Sequence, residues 1–456
     1  MLRYILFVLV AFIAVSGCDR DGGQVISLEK VDYLEKMNQH VRPQGVSEDK
    51  NGMIYLDKSI SLYVKTEDLY FDGYGFDRGK YSDEQLSEFR HWIEDNEPAW
   101  EEFQKFSKSQ YSWPKYELMD DGDFAGTIDF SSNLFSVREI TKMVASRADL
   151  AILDGNVNDA INIYCLLIEN AKKMYREEFT LIEQIIWMSV GGIGFDGLKF
   201  IIDHCELNDK QLGGIEQELK RIYPAGFVNY PSSGEKLHYL FTIENGFDEK
   251  GEVKIEFLTQ VVAIDTMLGE EVYLDFDEIA KLHASKEETI AALQKQWDYF
   301  EGIKADQLTP YEIHSRNIDT NKVISELDQE KYFVLTYESE ILGGFLFSHV
   351  QDRRKAEFDS TMAILAVKRF EIKENTLPGS LTELVDKGYL GSLPMDPFSD
   401  GPLVYKKNEN DFLLYSVGEN FNDDAGKSWD YINDKDCDDM VYWPVEDRWV
   451  DWDNLD

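Results

Sequence analysis

The sequence predicts an α+β protein: a mainly helical body, then a C-terminal unit in which one long helix covers a small antiparallel sheet. Three observations predict it. From Ser131 onward Val137, Ile140, Val144, Ala148 and Ala151 recur at three- and four-residue steps, which places them on one helical face. Near the other end Pro394, Pro397 and Pro402 fix turns and forbid a helix. Beside them Leu403-Val404-Tyr405 and Phe412-Leu413-Leu414-Tyr415 flank the polar Lys407-Asn408-Glu409-Asn410, which is the pattern of a hairpin. A hairpin alone is marginal in water, so this one needs the preceding helix over one face.

The 456 residues, 43% of them apolar, suffice for two or three packed domains. The pattern divides them into a leader (1–17), an acidic and irregular region with short strands and a helix (18–130), a helical domain (131–335) and the α+β unit (336–456). Acidic residues number 87 against 46 Lys plus Arg, and the balance of -41 is spread along the whole chain. Such a surface excludes nucleic acid as a partner. It reads either as a solvated, soluble exterior or as a cation-binding one. An aromatic content of 13% argues against wholesale disorder, because disordered acidic chains are poor in aromatics.

The first element is a leader. Arg3 gives a positive start, an apolar run extends from Tyr4 to Val15, and Ser16-Gly17-Cys18 follows. The run is too short to span a bilayer. Small residues just before a cysteine resemble the signal of bacterial lipoproteins. That resemblance implies cleavage after Gly17, diacylglycerol on the Cys18 sulfur and acylation of the new amino terminus. Each buried methylene contributes about 0.8 kcal/mol and one chain alone is marginal, so the two or three chains implied would anchor the protein durably. The expected location is therefore the cell envelope, on the periplasmic face of the inner membrane or on the outer membrane, with the membrane as a partner through the lipid. Asp19 resembles an inner-membrane retention signal.

After the leader, one helix is expected from Asp83 to Asn96, with Leu86, Phe89, Trp92 and Ile93, and Pro98 divides it from a shorter helical piece holding Trp100 and Phe103. Met53-Ile54-Tyr55-Leu56 and Ile60-Ser61-Leu62-Tyr63-Val64 read as strands, the second alternating with a period of two.

The face that starts at Ser131 breaks at Asp154-Gly155-Asn156, and a second amphipathic helix with Ala160, Ile163, Tyr164, Leu167 and Ala171 completes an antiparallel hairpin. The hairpin is similar to one tetratricopeptide-type unit, without a second copy at a fixed period. Leu181 to Ile202 is the most apolar stretch after the leader, and Gly191, Gly192 and Gly194 suggest core helices with a glycine-rich join. Gln211 to Leu308 continues mainly helical, interrupted by the loop from Pro224 to Pro231, and is expected to pack on the hairpin. Beyond Cys18 the cysteines are Cys165, Cys205 and Cys437, an odd set that allows at most one disulfide. Cys165 with Cys205 is the candidate pair, the alternative being that both are simply buried.

A long helix is expected from Ser339 to Phe370. After it come Thr376-Leu377-Pro378-Gly379-Ser380-Leu381-Thr382-Glu383-Leu384, Leu393-Pro394-Met395-Asp396-Pro397-Phe398 and Leu413-Leu414-Tyr415-Ser416-Val417-Gly418. In that order these segments resemble the globular domain of type II secretion major pseudopilins. The resemblance implies a helix, a proline-led segment, a turn and a small sheet. It departs from that family in what stands ahead of it, since a lipoprotein-type leader and a long body replace the membrane helix through which pseudopilins polymerise.

In calcium-binding pseudopilins the loop after the Tyr-Ser-x-Gly strand holds the ion. The corresponding loop here offers Asn420, Asn422, Asp423, Asp424 and Asp430, and calcium takes six to eight hard oxygens from such side chains and from carbonyls. A solvated acidic loop held by Asx turns is the alternative. Catalytic constellations are not evident: the seven histidines are dispersed, and neither H-E-x-x-H nor G-x-S-x-G occurs. The expected function is a non-enzymatic, lipid-anchored envelope protein of scaffolding or binding type. An accessory component of a secretion or pilus-like system, touching pseudopilins through the C-terminal unit, is the second expectation, and a hydrolase with an unrecognised site in the central domain is the third.

Overall fold

The computed structural model describes residues 31–65, 82–119, 128–129, 131–227, 233–259, 274–337, 349–428 and 438–445. The leader with Cys18, the apolar run 341–347, Asp430, Cys437, Trp449 and Trp452 lie outside the described residues.

Two helices open the described chain, α1 (Tyr33–Val41) and α2 (Met53–Leu62). The second replaces the two strands expected there. Leu56 and Ser59 are fully buried and Met53 and Ile60 half-buried, a three- to four-residue spacing that fits a helix and not a strand. The Ser59 hydroxyl donates to the Ala99 carbonyl at 2.7 Å, so tertiary contact decides where local alternation was ambiguous. The next pair follows expectation. Helix α3 (Asp83–Asp95) starts at a capping box of Ser82 and Gln85, and α4 (Glu97–Lys108) carries Pro98 in its first turn, where no hydrogen bond is lost.

The hairpin is formed by α5 (Ser131–Leu153) and α6 (Val157–Met174), joined through Gly155 at φ +78°. Against it runs α7 (Leu181–His204), one continuous helix in place of the expected glycine-rich join. Its glycines serve close approach: a Cβ on Gly194 would stand 2.6 Å from Ile168 Cγ1 and 2.9 Å from the Tyr164 carbonyl, and Gly197 lies against the Tyr164 ring. Of the described helices, α7 alone is long and apolar enough to cross a membrane, and 72% of its apolar window is buried within the protein. It is the central strut of the fold.

The expectation that residues 211–308 all pack on the hairpin needs correction. Helix α8 (Asp209–Ile222) does so. Helices α9 (Ser233–Gly246), α10 (Phe276–Leu282) and α11 (Lys286–Ala305), with the short α12 (Pro310–Ser315), α13 (Lys322–Ser325) and α14 (Phe333–Tyr337), enclose separate cores. One contains Ile243, Phe247, Leu258, Leu293 and Leu335, and a smaller one Trp297, Phe300 and Ile324.

The long helix of the C-terminal unit is described as α15 (Val350–Glu374), ending at Asn375 in the left-handed conformation, φ +55°. After α16 (Leu381–Asp386), strands β1 (Val404–Lys407), β2 (Phe412–Ser416) and β3 (Met440–Trp443) form an antiparallel sheet in that order. The expected hairpin has Val404 opposite Tyr415 and Lys407 opposite Phe412. Helix α15 lies between this sheet and helices α7 and α8. One hydrophobic core consequently runs from Met37 through Leu198 and Val367 to Trp443.

Candidate functional site

The loop between β2 and β3 is built outward from a buried carboxylate. Asp396, 2% exposed in the proline-flanked turn, accepts from the Ser416 hydroxyl at 2.7 Å and from the amides of Val417 (2.9 Å) and Phe398 (3.0 Å). Burial pushes its pKa up while these three donors oppose that shift. The turn and the end of β2 are thus fixed together, and Gly418 at φ +74° starts the loop where a side chain would collide with Asp438.

Within the loop the predicted ligands are already engaged with one another. Asn422 N donates to Asn420 Oδ1 at 3.0 Å, and Asn420 Nδ2 donates to Asp424 Oδ2 at 2.8 Å. Asp423 Oδ1 accepts from the Tyr415 hydroxyl at 2.7 Å and from Ala425 N at 2.9 Å, and the hydroxyl's bond is the main reason its pKa lies low. Lys406 Nζ reaches the same hydroxyl at 2.5 Å. Two residues that sequence reading missed close the loop. Asp438 Oδ2 accepts from Glu419 N at 3.0 Å, and Asp439 accepts from Asp424 N at 3.3 Å and Gly426 N at 2.6 Å. Burial raises both of their pKa values. Their signal was the acidic run from Asp434 to Asp439 just ahead of the third strand.

The structure therefore brings Asn420, Asn422, Asp423 and Asp424 onto one loop, while Asp430 lies outside the described residues. The donor set is all oxygen, the type that calcium prefers. Among the described residues no three His, Cys, Asp or Glu side chains stand in metal-binding geometry. From the body side α12 pins the loop: the His314 ring stacks on Phe421 at 4.2 Å, and Tyr311 N donates to the Pro397 carbonyl at 3.1 Å. Arg353 of α15 donates to Glu419 at 2.6 Å.

The predicted disulfide does not form; Cys165 and Cys205 are both thiols. Gly197 is the residue of α7 that faces Tyr164, so Cys205 stands eight residues further along, roughly 12 Å down the axis, too far for a bridge. Burial pushes the Cys165 thiol up to about 12. In the central domain His40 Nε2 lies 2.8 Å from the Ser233 hydroxyl, but that hydroxyl donates to the Glu177 carbonyl at 3.0 Å. Its single proton is thereby committed, and the pair holds α9 in place. Buried Glu183 is likewise structural: it accepts from Thr180 N (3.0 Å), the Thr180 hydroxyl (2.7 Å) and the Tyr116 hydroxyl (2.7 Å), capping α7.

No protein-family model, curated protein or solved structure matches this chain.

Proposed function

We propose that this chain is a lipid-anchored envelope protein that binds or scaffolds another component and catalyses no reaction, held to the membrane through Cys18 and carrying a pseudopilin-like unit whose β2–β3 loop takes calcium. The observation that carries the reading is the placement of α15. It is at once the cover of a three-stranded sheet and a core helix of the body. Such a unit is built into a larger scaffold, with both of the helix's faces occupied. The order of long helix, proline-led turn, antiparallel sheet and acidic loop supports the pseudopilin likeness. The same order also favours a second reading, an accessory of a secretion or pilus-like machine.

The test of the anchor is radiolabelled palmitate fed to bacteria expressing the whole chain. Label on the wild type and none on Cys18→Ser, with the variant moving from the membrane to the soluble fraction, is the expected result. An unlabelled wild-type protein would overturn it.

A further inference from the structure

Ten large apolar side chains stand exposed among the described residues, and four of them, Ile54, Tyr55, Leu62 and Val64, fall between positions 54 and 64. Singly such residues need no explanation, whereas several together mark a surface that something covers. Helical spacing gathers the first three. Leu62 stands eight residues after Ile54 and seven after Tyr55, which places all three within about 100° on the outer side of α2, with Val64 just past the helix end. The inner side carries Leu56 and Ser59 and lies on α4 and α5, so the apolar face points away from the body.

Charge and position select the occupant. Residues 31–65 hold five acidic side chains and five Lys or Arg, so the whole excess of -41 lies elsewhere in the chain. On the face itself Asp57 and Lys58 give one charge of each sign, and Lys58 is already paired with Glu102 at 2.7 Å. An anionic headgroup layer repels an acidic surface but not this one. The stretch is also the first described part of the chain and starts only 13 residues after Cys18, a separation that reaches at most about 45 Å. Tyr55 adds an aromatic ring with a polar tip, the kind of side chain enriched at membrane–water interfaces.

We propose that the outer face of α2, with Val64 beside it, rests in the headgroup layer of the bilayer that carries the protein, and so fixes which side of the body faces the membrane. Four side chains are too few to hold a protein there unaided. A tether makes the contact intramolecular, so even a weak patch stays engaged once the chain is attached. The inference rests on the reading of a membrane-attached envelope protein but not on acylation of Cys18.

It is therefore tested, whatever the palmitate result, on the whole Cys18→Ser chain held through an N-terminal hexahistidine on vesicles of phosphatidylethanolamine and phosphatidylglycerol doped with a nickel-chelating lipid. Hydroxyl-radical oxidation read by mass spectrometry reports each side chain with and without vesicles. Ile54, Tyr55, Leu62 and Val64 are 36–52% exposed, and burial to the few per cent typical of a core should slow their oxidation about ten-fold. Leu282 and Ile372, comparably exposed elsewhere, should keep their solution rates. Ile54→Asp with Leu62→Asp, at exposed positions that leave the fold intact, should return Tyr55 to its solution rate on vesicles. Equal rates with and without vesicles, protection of Leu282 and Ile372 to the same extent, or protection of Tyr55 in the double variant would each overturn the proposal. So would a slowing in vesicle-free protein that grows with its concentration, the mark of a second copy on this face.

Discussion

Lys199 on α7 places its Nζ 3.1 Å from Glu357 Oε1 on α15, and both side chains are almost wholly buried. Asp196 at 2.8 Å and the Arg354 guanidinium complete a four-charge cluster between body and C-terminal unit. Gly192 leaves the space in which that guanidinium lies. Removing one member of a buried pair leaves its partner uncompensated. Lys199→Met should lower the unfolding free energy by about 3 kcal/mol in urea melts. Adding Glu357→Leu should recover part of that loss. A single-mutant change below about 0.5 kcal/mol, the level of an exposed surface substitution, would show that the cluster contributes little.

Asp149 gives the protein a pH dependence of opposite sign to ordinary acid denaturation. The carboxyl is 2% exposed and accepts from the Tyr164 hydroxyl at 2.5 Å, and burial raises its pKa to about 6. In the unfolded chain it ionises near about 3.9. The folded state thus holds this proton longer, so the group's contribution is fully present below about pH 4 and is lost as the pH rises through about 6. Asp149→Asn should flatten that part of the stability profile and raise stability at pH 7.5 by about 2 kcal/mol. Chemical melts at pH 4.5, 6 and 7.5 check this, and an unchanged profile in the variant would refute it.

Two helical glycines should respond in opposite directions. Gly194→Ala drives a methyl into Ile168 and the Tyr164 carbonyl and should cost about 1–3 kcal/mol, outweighing its helix propensity. Gly214 in α8 has nothing within 4 Å of an added Cβ, so Gly214→Ala should stabilise by about 0.5–1 kcal/mol. Thermal melts of both variants decide whether α7 approaches α6 as closely as described.

For the loop, calcium titrated calorimetrically into the EDTA-stripped protein should bind saturably. Asp423→Ala with Asp424→Ala should abolish the heat. A calcium ion bound there would compete for Asp423 Oδ1 with the Tyr415 hydroxyl and Ala425 N, so Tyr415→Phe, which removes one of those two donors, should tighten binding. Absence of binding to the wild type would leave the loop as a closed hydrogen-bonded structure.

Much of this architecture was legible in the residues. The α5–α6 hairpin, the α3–α4 division at Pro98 and the β1–β2 hairpin follow from periodicity, capping and turn chemistry. The failures have a common physical cause, which is contact across long sequence separations. Ile60 to Val64 alternates locally, yet Leu56 and Ser59, buried one turn earlier, carry a helix through to Leu62. The α7 glycines look like breakers until Tyr164 and Ile168 are seen against them. At the loop, Asn420 to Asp424 were legible as a dense oxygen set, whereas the roles of Asp438 and Asp439 depend on β3 returning beside β2.

The span of the main core from Met37 to Trp443 has a consequence for biogenesis. Trp443 is fully buried in β3 and stacks on Phe412 at 5.3 Å, so the core that begins at Met37 lacks one of its largest side chains until residue 443 has been synthesised. Domains that close early fold as they leave the ribosome. This core instead stays open until β3 has been made, so the helices of the body and the strands of the C-terminal unit close as one cooperative unit rather than in turn.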